Sequence, residues 1–517
     1  MRRDTVLTII FYLFAASILV LGLRGLPESP TKEMLNTSQW QQDGPFELSP
    51  ERARFALTFS LVEDRSYTFS LPVARFAAPD VGYLEGNYTS LFAPGVSYVA
   101  VPGYLIGKAL GSSQVGAFAT ITLFALGNVI LIAAVARKLG ASVLAALLGS
   151  LVFIFATPAF AYATTLYQHH LTTFLLLLSI YLLLRWNTFF SQAAVWSILG
   201  LSLLVDYTNG LLFLPVSIFA LLKLFTITNK KTKVLVSLQL LSIPAVVSLS
   251  LALLLFLGYH KKVYGGYVRL AGTVGRASAI DEQGNPTQPP EFNPHDFTTF
   301  LEQEIEEGQK ISNFFKTRNL VNGFYIHFLS PDRGTLFYTP IVLFGAAGGY
   351  YLAKKNRSIG NLLIGVIGIT VLVYSLWGDP WGGWAFGSRY LIPAYALLSI
   401  LTAVFLTHQV TQKIILLPFT LILFYSIAVN TLGAVSSSSN PPEVEVLKLE
   451  EQSNKQEKYT FERNYDYVFS ENKAKAFIYQ AYAKNYISAG QYYLIVTFAI
   501  LAFSSILLIL LLQQTYV

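Results

Sequence analysis

The stretch GDPWGGWAFGSRYL, residues 378–391, sets one arginine and one acid among aromatics and glycines, between two apolar segments. Those residue types suit the holding of an oxyanion. The planar guanidinium of Arg389 can grip two phosphate oxygens at once. Gly378, Gly382, Gly383 and Gly387 leave backbone N–H groups bare, which allows close approach of a phosphate or a sugar. Asp379 can bind a sugar hydroxyl or simply turn the chain. Trp377, Trp381 and Trp384 form an aromatic belt of the kind found at membrane interfaces, and Trp381 is counted with the substrate contacts. The plainer reading of Arg389 is a snorkelling anchor beside Tyr390. An arginine at that depth is costly without a partner, which favours a bound anion.

Arg333, in SPDRGT, is a second cation of this kind, although Asp-Arg-Gly also makes a plain turn. His169 and His170 close LYQHH, residues 166–170. Adjacent helical side chains point about 100° apart, so the pair is poorly set to share a metal ion. A substrate or phosphate contact for one of them and a boundary histidine without chemistry both remain open. Asp206, opening DYTNG at the end of an apolar segment, is a functional suspect or a cap for the next helix.

A membrane-embedded frame must position these residues. Of 517 residues, 53% are hydrophobic and 13% charged, against about 25% charged in soluble domains. Apolar blocks able to cross about 30 Å of hydrocarbon as helices fall at 5–23, 115–136, 141–158, 171–186, 192–208, 211–226, 234–257, 336–352, 358–376, 390–407, 414–433 and 490–512. The expected fold is an all-α polytopic membrane protein of about 12 transmembrane helices. The start, MRRDTVLTIIFYLFAASILVLGL, lacks a small-x-small cleavage site and reads as an uncleaved first helix. The net charge of +7 is spread among the spans and reports topology rather than a nucleic-acid partner. With no cysteine, disulfides and thiolate zinc sites are excluded.

Short basic loops mark the cytoplasmic face. They hold Arg2 and Arg3, Arg137 and Lys138, Arg185, Lys230 with Lys231 and Lys233, Lys354 with Lys355 and Arg357, and Lys413. Of 29 acids, only Asp4 falls on that side. Both termini are therefore expected in the cytoplasm of a plasma-membrane protein, with loops 24–114, 258–335 and 434–489 outside. The short connections 159–170, 206–210 and 377–389 face the same way, so every polar cluster named above shares one extracytoplasmic compartment. ATP is not expected there, and a reaction on that face needs a substrate that is already activated.

The whole chain, 1–517, reads as one membrane domain whose long loops carry interfacial helices. Residues 51–65 put Phe55, Leu57, Leu61 and Val62 on one rough stripe with charges elsewhere. Residues 95–110, apolar but holding Pro102, are expected as a helix lying in the interface. Residues 296–316 and 459–484 also read as amphipathic, and SSSSNPPE at 436–443 as a turn or linker.

Residues 50–107 combine Glu51 with Arg54, Phe55 and Ala56, then Gly86, Tyr88, Pro94 and Gly95. This run resembles the first external loop of the GT-C superfamily of lipid-phosphosugar-dependent glycosyltransferases. The resemblance extends to LYQHH, DYTNG, SPDRGTLFYTPIVL and WGGWAFGSRYLIP, in scattered motifs across about 400 residues. It is similar to the branch near the protein mannosyltransferases and aminoarabinose transferases, whose members typically carry Asp where this chain has Glu51.

The resemblance implies a GT-C-like bundle that moves a sugar from a polyprenyl-phosphate donor to a lipid, glycan or protein acceptor. Three needs follow: a carboxylate for the nucleophile's proton, cationic or backbone donors for the departing phosphate, and an apolar groove beside membrane lipids for the prenyl tail. It makes Glu51 the base in a single inverting displacement, with Asp80 as runner-up. Arg389, Arg333 and Arg54 would hold the phosphate; Tyr88, His169, His170, Asp206, Asp379 and Trp381 would contact substrate. The plain alternative for Glu51 is a solvated acid starting a helix at Ser49-Pro50, and for Asp80 a turn residue. Some GT-C enzymes use a divalent metal, yet no ligand spacing here supports one. Two other functions compete. A transporter or flippase of lipid-linked glycans is disfavoured by few mid-span ionisable residues and no paired broken helices. The other is a non-catalytic cell-envelope scaffold.

Overall fold

The computed structural model describes residues 3–41, 44–230, 233–287, 314–409, 413–453 and 456–514. Helices dominate. Among the described residues seven of them are long and apolar enough to cross a membrane, including Ser113–Lys138, Arg357–Ser375 and Ala489–Gln513. Three shorter apolar helices, Val143–Phe155, His169–Arg185 and Phe189–Val205, join them. The chain is a multi-pass membrane protein.

Taken along the chain, α1 (Arg3–Gly22) is followed by the first long loop. That loop holds α2 (Ser49–Phe59), strands β1 (Val81–Leu84) and β2 (Asn87–Ser90), and α3 (Gly95–Ala109). The bundle continues through α4 (Ser113–Lys138), α5 (Val143–Phe155), α6 (His169–Arg185) and α7 (Phe189–Val205). Its second half contains α8 (Ser242–Tyr264), α9 (Phe344–Lys355), α10 (Arg357–Ser375), α11 (Ile392–Gln409), α12 (Lys413–Val435) and α13 (Ala489–Gln513).

Several expected elements come out differently. The span expected at 211–226 is a pair of short helices, Asn209–Leu212 and Leu214–Leu222. An antiparallel hairpin follows, Phe225–Lys230 with Lys233–Leu238. The next span therefore starts at Ser242, not 234, and runs on to Tyr264. The sequence carried the signal: TITNKKTKVLV is rich in β-branched residues, whose stiff side chains favour strands. The span expected at 336–352 is broken after Tyr338, because Pro340 cannot donate a helical N–H. The stretch 95–110 is the expected helix, Gly95–Ala109, and it packs as a helical hairpin against α4. Ideal Cβ atoms at Gly103 and Gly107 would sit 2.3 Å and 2.9 Å from Gly116 backbone atoms, so only glycine permits that approach. The stripe expected for 51–65 also fails: residues 53–60 are buried all round, Arg54 among them, and Glu51 is buried as well. Of 296–316, residues 296–313 lie outside the described residues.

Strand β1 is central to a three-stranded sheet. It pairs antiparallel with β2, and on its other edge with Gly275–Ala277 from the loop after α8. This sheet fastens the first long loop to the second.

Helices α9 and α11 meet backbone to backbone. A Cβ at Gly348 would fall 1.8 Å from the Leu401 carbonyl oxygen, whereas one at Gly349 would be 3.4 Å from its nearest neighbour. Gly348→Ala is expected to lower the melting temperature of the detergent-solubilised protein by an overpacking penalty of about 1–3 kcal/mol. Gly349→Ala is expected to melt like the parent; equal melting of the two variants would contradict this packing.

Candidate functional site

Helix α2 begins where Pro50 is preset for a first turn. A carboxylate one residue later faces the positive end of the helix. Ser49 does not cap the helix; its hydroxyl donates to Asp80 Oδ2 instead. Glu51 itself is fully buried. Its Oε1 accepts the Leu166 N–H at 3.2 Å and its Oε2 the Glu47 N–H at 3.1 Å. Burial pushes its carboxyl above the ordinary glutamate range; Arg24 pulls it back and Glu47 pushes it up again. A carboxyl raised this way comes nearer the proton affinity a general base needs.

Behind it lies a second buried carboxylate. Glu47 Oε2 pairs with Arg24 Nη1 at 2.7 Å and accepts from the Ser438 N–H at 2.6 Å and its hydroxyl at 2.8 Å. Burial works against its ionised form, but Arg24, Lys475 and the Ser438 amide outweigh that and hold it at about 2.

The candidates meet along one short strip, Leu166–His169, between α5 and α6. Leu166 touches Glu51 as described. Arg54 and Arg389 both lie against the Tyr167 ring, their guanidinium carbons 5.6 Å and 4.6 Å from its centroid. Gln168 accepts from Arg54 Nη2 at 2.7 Å and donates to Asp206 Oδ2 at 2.9 Å. His169 stacks on Tyr167, with centroids 5.8 Å apart and 15° between the planes. Two arginines, one histidine and two acids are thus gathered by four consecutive residues.

This cluster is rich in unmatched donors. Arg389 Nη2 donates to the Gly382 carbonyl. The Tyr167 and Tyr390 hydroxyls interact with that guanidinium, yet Arg389 Nε and Nη1 make no well-aligned hydrogen bond among the described residues. Arg54 Nε, His169 Nε2 and the Tyr167 hydroxyl are buried in the same condition. Buried polar groups are ordinarily paired, and each exception calls for an explanation.

The loop that presents Arg389 is shaped by two other residues singled out from the sequence. Arg333, fully buried, donates to Asp332 at 3.1 Å, to the Trp381 carbonyl, and to the Gly383 carbonyl at 2.9 Å. Asp379 accepts the Trp381 N–H at 3.1 Å and the Gly383 N–H at 2.6 Å. Both brace the turn. Gly382 has φ +73°, and a Cβ there would come within 3.3 Å of Arg389 Nε, so the turn requires glycine.

The remaining candidates are placed elsewhere or held by structure. Asp80 is half-buried, pairing with Arg276 at 2.8 Å and accepting from Ser49. Tyr88 stands in the sheet and donates to the Gly284 carbonyl at 2.9 Å. His170 is bound on both sides, Nε2 to the Ala159 carbonyl at 2.7 Å and Nδ1 to Asn128 at 3.3 Å. Asp206 also accepts the Thr208 N–H and hydroxyl at 3.0 and 2.8 Å, so it shapes the DYTNG turn while joining the strip. Among the described residues no three His, Asp or Glu side chains are grouped to hold a metal ion. Sequence reasoning missed Tyr167, Gln168, Arg24 and Glu47. The first two stood inside LYQHH, where the histidines drew attention; Arg24 and Glu47 stood in none of the motifs considered.

No protein-family model matches this chain, and no curated protein matches it. Among solved structures it is similar to ArnT from Cupriavidus metallidurans, crystallised bound to undecaprenyl phosphate. The two share 11% identity over 96% of this chain and 77% of that one, with a TM-score of 0.40.

Proposed function

We propose that this protein is a GT-C-type glycosyltransferase acting on the extracytoplasmic face with a polyprenyl-phosphate-sugar donor. The observation that carries this reading is the set of unmatched donors around Tyr167, within the same four-residue strip that touches the buried Glu51. A phosphate ester is the ligand that such donors fit: it offers oxygens to Arg389 Nε and Nη1, Arg54 Nε, His169 and Tyr167. In the step, the acceptor's oxygen or nitrogen forms a bond to the anomeric carbon as the bond from that carbon to the phosphate oxygen breaks. The bonding pair leaves with the lipid phosphate, and the nucleophile's proton passes to Glu51. Attack opposite the leaving group inverts the anomeric configuration. Asp80, more exposed than Glu51, is the second candidate base.

The reading is tested by incubating the detergent-purified chain with a radiolabelled polyprenyl-phosphate hexose and candidate acceptors. Thin-layer separation should show free polyprenyl phosphate appearing with time. A transporter would leave the donor's glycosidic bond intact. Arg389→Ala is expected to slow release by about 10²–10³-fold, the cost of losing one preorganised anion donor. Release at the parental rate by Arg389→Ala would remove that residue from the phosphate grip.

A further inference from the structure

Apart from the arginine cluster, the structure contains a polar cavity of about 200 Å³, with Glu47, Ser437, Ser439, Asn440, Asn464 and Tyr467 in its wall. Its position is informative. One wall is Glu47, whose N–H is bound to Glu51. Another is Asn440, whose carbonyl accepts the Ala385 N–H at 2.8 Å. The cavity therefore lies between the segment carrying Glu51 and the tryptophan loop carrying Arg389.

The charges around it are matched internally. Glu47 faces Arg24, and Arg463, also in the wall, pairs with Glu457 at 2.8 Å. Lys475 donates to the Gly44 carbonyl at 3.0 Å. The groups left with unmet capacity are neutral or acceptor atoms: among the described residues Asn440 Oδ1 and Glu47 Oε1 make no well-aligned hydrogen bond, the Ser437 hydroxyl lying against the Glu47 carboxylate and the Asn440 side chain against Tyr338. Asn440 is held in place by its own amide, which donates to Asn464 Oδ1 at 2.7 Å. Acceptors with capacity left in this way call for O–H or N–H donors from a ligand. Next to the wall residue Arg463, 5.6 Å from its ring, Trp384 is fixed by an indole N–H donated to Glu445 at 2.7 Å. The cavity is smaller than the few hundred Å³ and upward that drug-sized ligands fill. It suits a single sugar ring.

We propose that this cavity is a glycosyl-binding subsite, in which sugar hydroxyls donate to Asn440 Oδ1 and Glu47 Oε1. For its place in a reaction the proposal rests on the glycosyltransferase reading, whereas sugar binding itself is independent of that reading. The sugar has two possible sources, the donor's transferred ring or a ring of a glycan acceptor, and both present the same hydroxyls.

The chain contains no cysteine, so Ser439→Cys supplies a single thiol in the cavity wall, and Ser470→Cys supplies an exposed control. The full-length variants, in a detergent without sugar headgroups, are alkylated with N-ethylmaleimide. The probes are methyl pyranosides of glucose, mannose, galactose and N-acetylglucosamine. At least one is expected to slow alkylation of Ser439→Cys several-fold and to leave Ser470→Cys unchanged. Ser437→Cys repeats the measurement should Ser439→Cys fail to fold. Equal rates with and without every glycoside, or equal slowing at the control, overturn the subsite. Slowing by a polyprenyl-phosphate hexose, lost with Arg389→Ala, assigns the cavity to the donor's ring. Slowing by the glycosides alone assigns it to an acceptor glycan. A failed transfer assay with intact protection would reject the proposed reaction while keeping the sugar site.

Discussion

Glu51→Gln is expected to abolish sugar transfer while leaving the protein folded and able to bind its lipid. The substitution keeps the side chain's volume and one carbonyl oxygen, so the contact with either the Leu166 or the Glu47 N–H survives. It removes the proton acceptor, and a positioned general base is worth about 10²–10⁴-fold in rate. The protein should still fold, because no buried charge is stranded and Arg24 keeps its pairing with Glu47; the melting temperature should drop only by the cost of one backbone N–H facing the new amide NH2, about 1–3 kcal/mol. Burial of Glu51 fixes the pH profile. A base works in its ionised form, and this carboxyl is raised, so transfer should fall away as pH drops through a value above the usual glutamate range of about 4.3. Undiminished turnover by Glu51→Gln would move the role to another acid, and Asp80→Asn is then the variant to assay.

The largest effect on stability is expected at Glu47→Gln. Arg24 is wholly buried and Glu47 nearly so. Losing the carboxylate strands the guanidinium, whose Nε and Nη2 make no hydrogen bond among the described residues. Breaking a buried ion pair from one side costs about 3–5 kcal/mol. The pair also joins three distant parts of the chain: the end of α1, the approach to α2, and Ser438 beyond α12. The pH dependence has a definite sign. Glu47 sits at about 2 when folded, below the usual value of about 4.3 for an unfolded chain. Its contribution is complete above that usual value and is lost as pH falls through about 2. Melting curves of parent and Glu47→Gln in detergent should differ most at neutral pH and converge in strong acid. Identical curves at neutral pH would show that the pair is not holding the loops together.

Much of the frame was legible because membrane helices announce themselves by length and apolarity. The helices at 3–22, 113–138, 357–375 and 489–513 lie within a few residues of their expected bounds. Where the reading failed, a local preference outweighed hydropathy. Phe225–Lys230 and Lys233–Leu238 form strands and Pro340 breaks a helix, although an apolar window smooths over both. The burial of Glu51 and Arg54 was hidden for another reason. Sequence periodicity assigns charged residues to solvent, whereas here Arg54 is matched by Gln168, 114 positions away. Arg389 stood out as one costly cation in an apolar setting. Tyr167, the ring on which both arginines rest, did not, because an aromatic in an apolar run is ordinarily just packing.

The thirteen-residue helix Val143–Phe155 reaches only about 20 Å at 1.5 Å per residue, well short of a hydrocarbon layer of about 30 Å. Irregular backbone at such depth is tolerated only when enclosed by protein, and residues 156–167 are buried throughout. The helix is thus too short to cross on its own, and the enclosed strip with its two arginines continues the path from its end. A lipid that parked its phosphate there would keep its chain immersed, escaping an extraction penalty of about 0.8 kcal/mol per methylene. Donor length would then matter little to affinity once the tail is long enough to stay dissolved in the membrane.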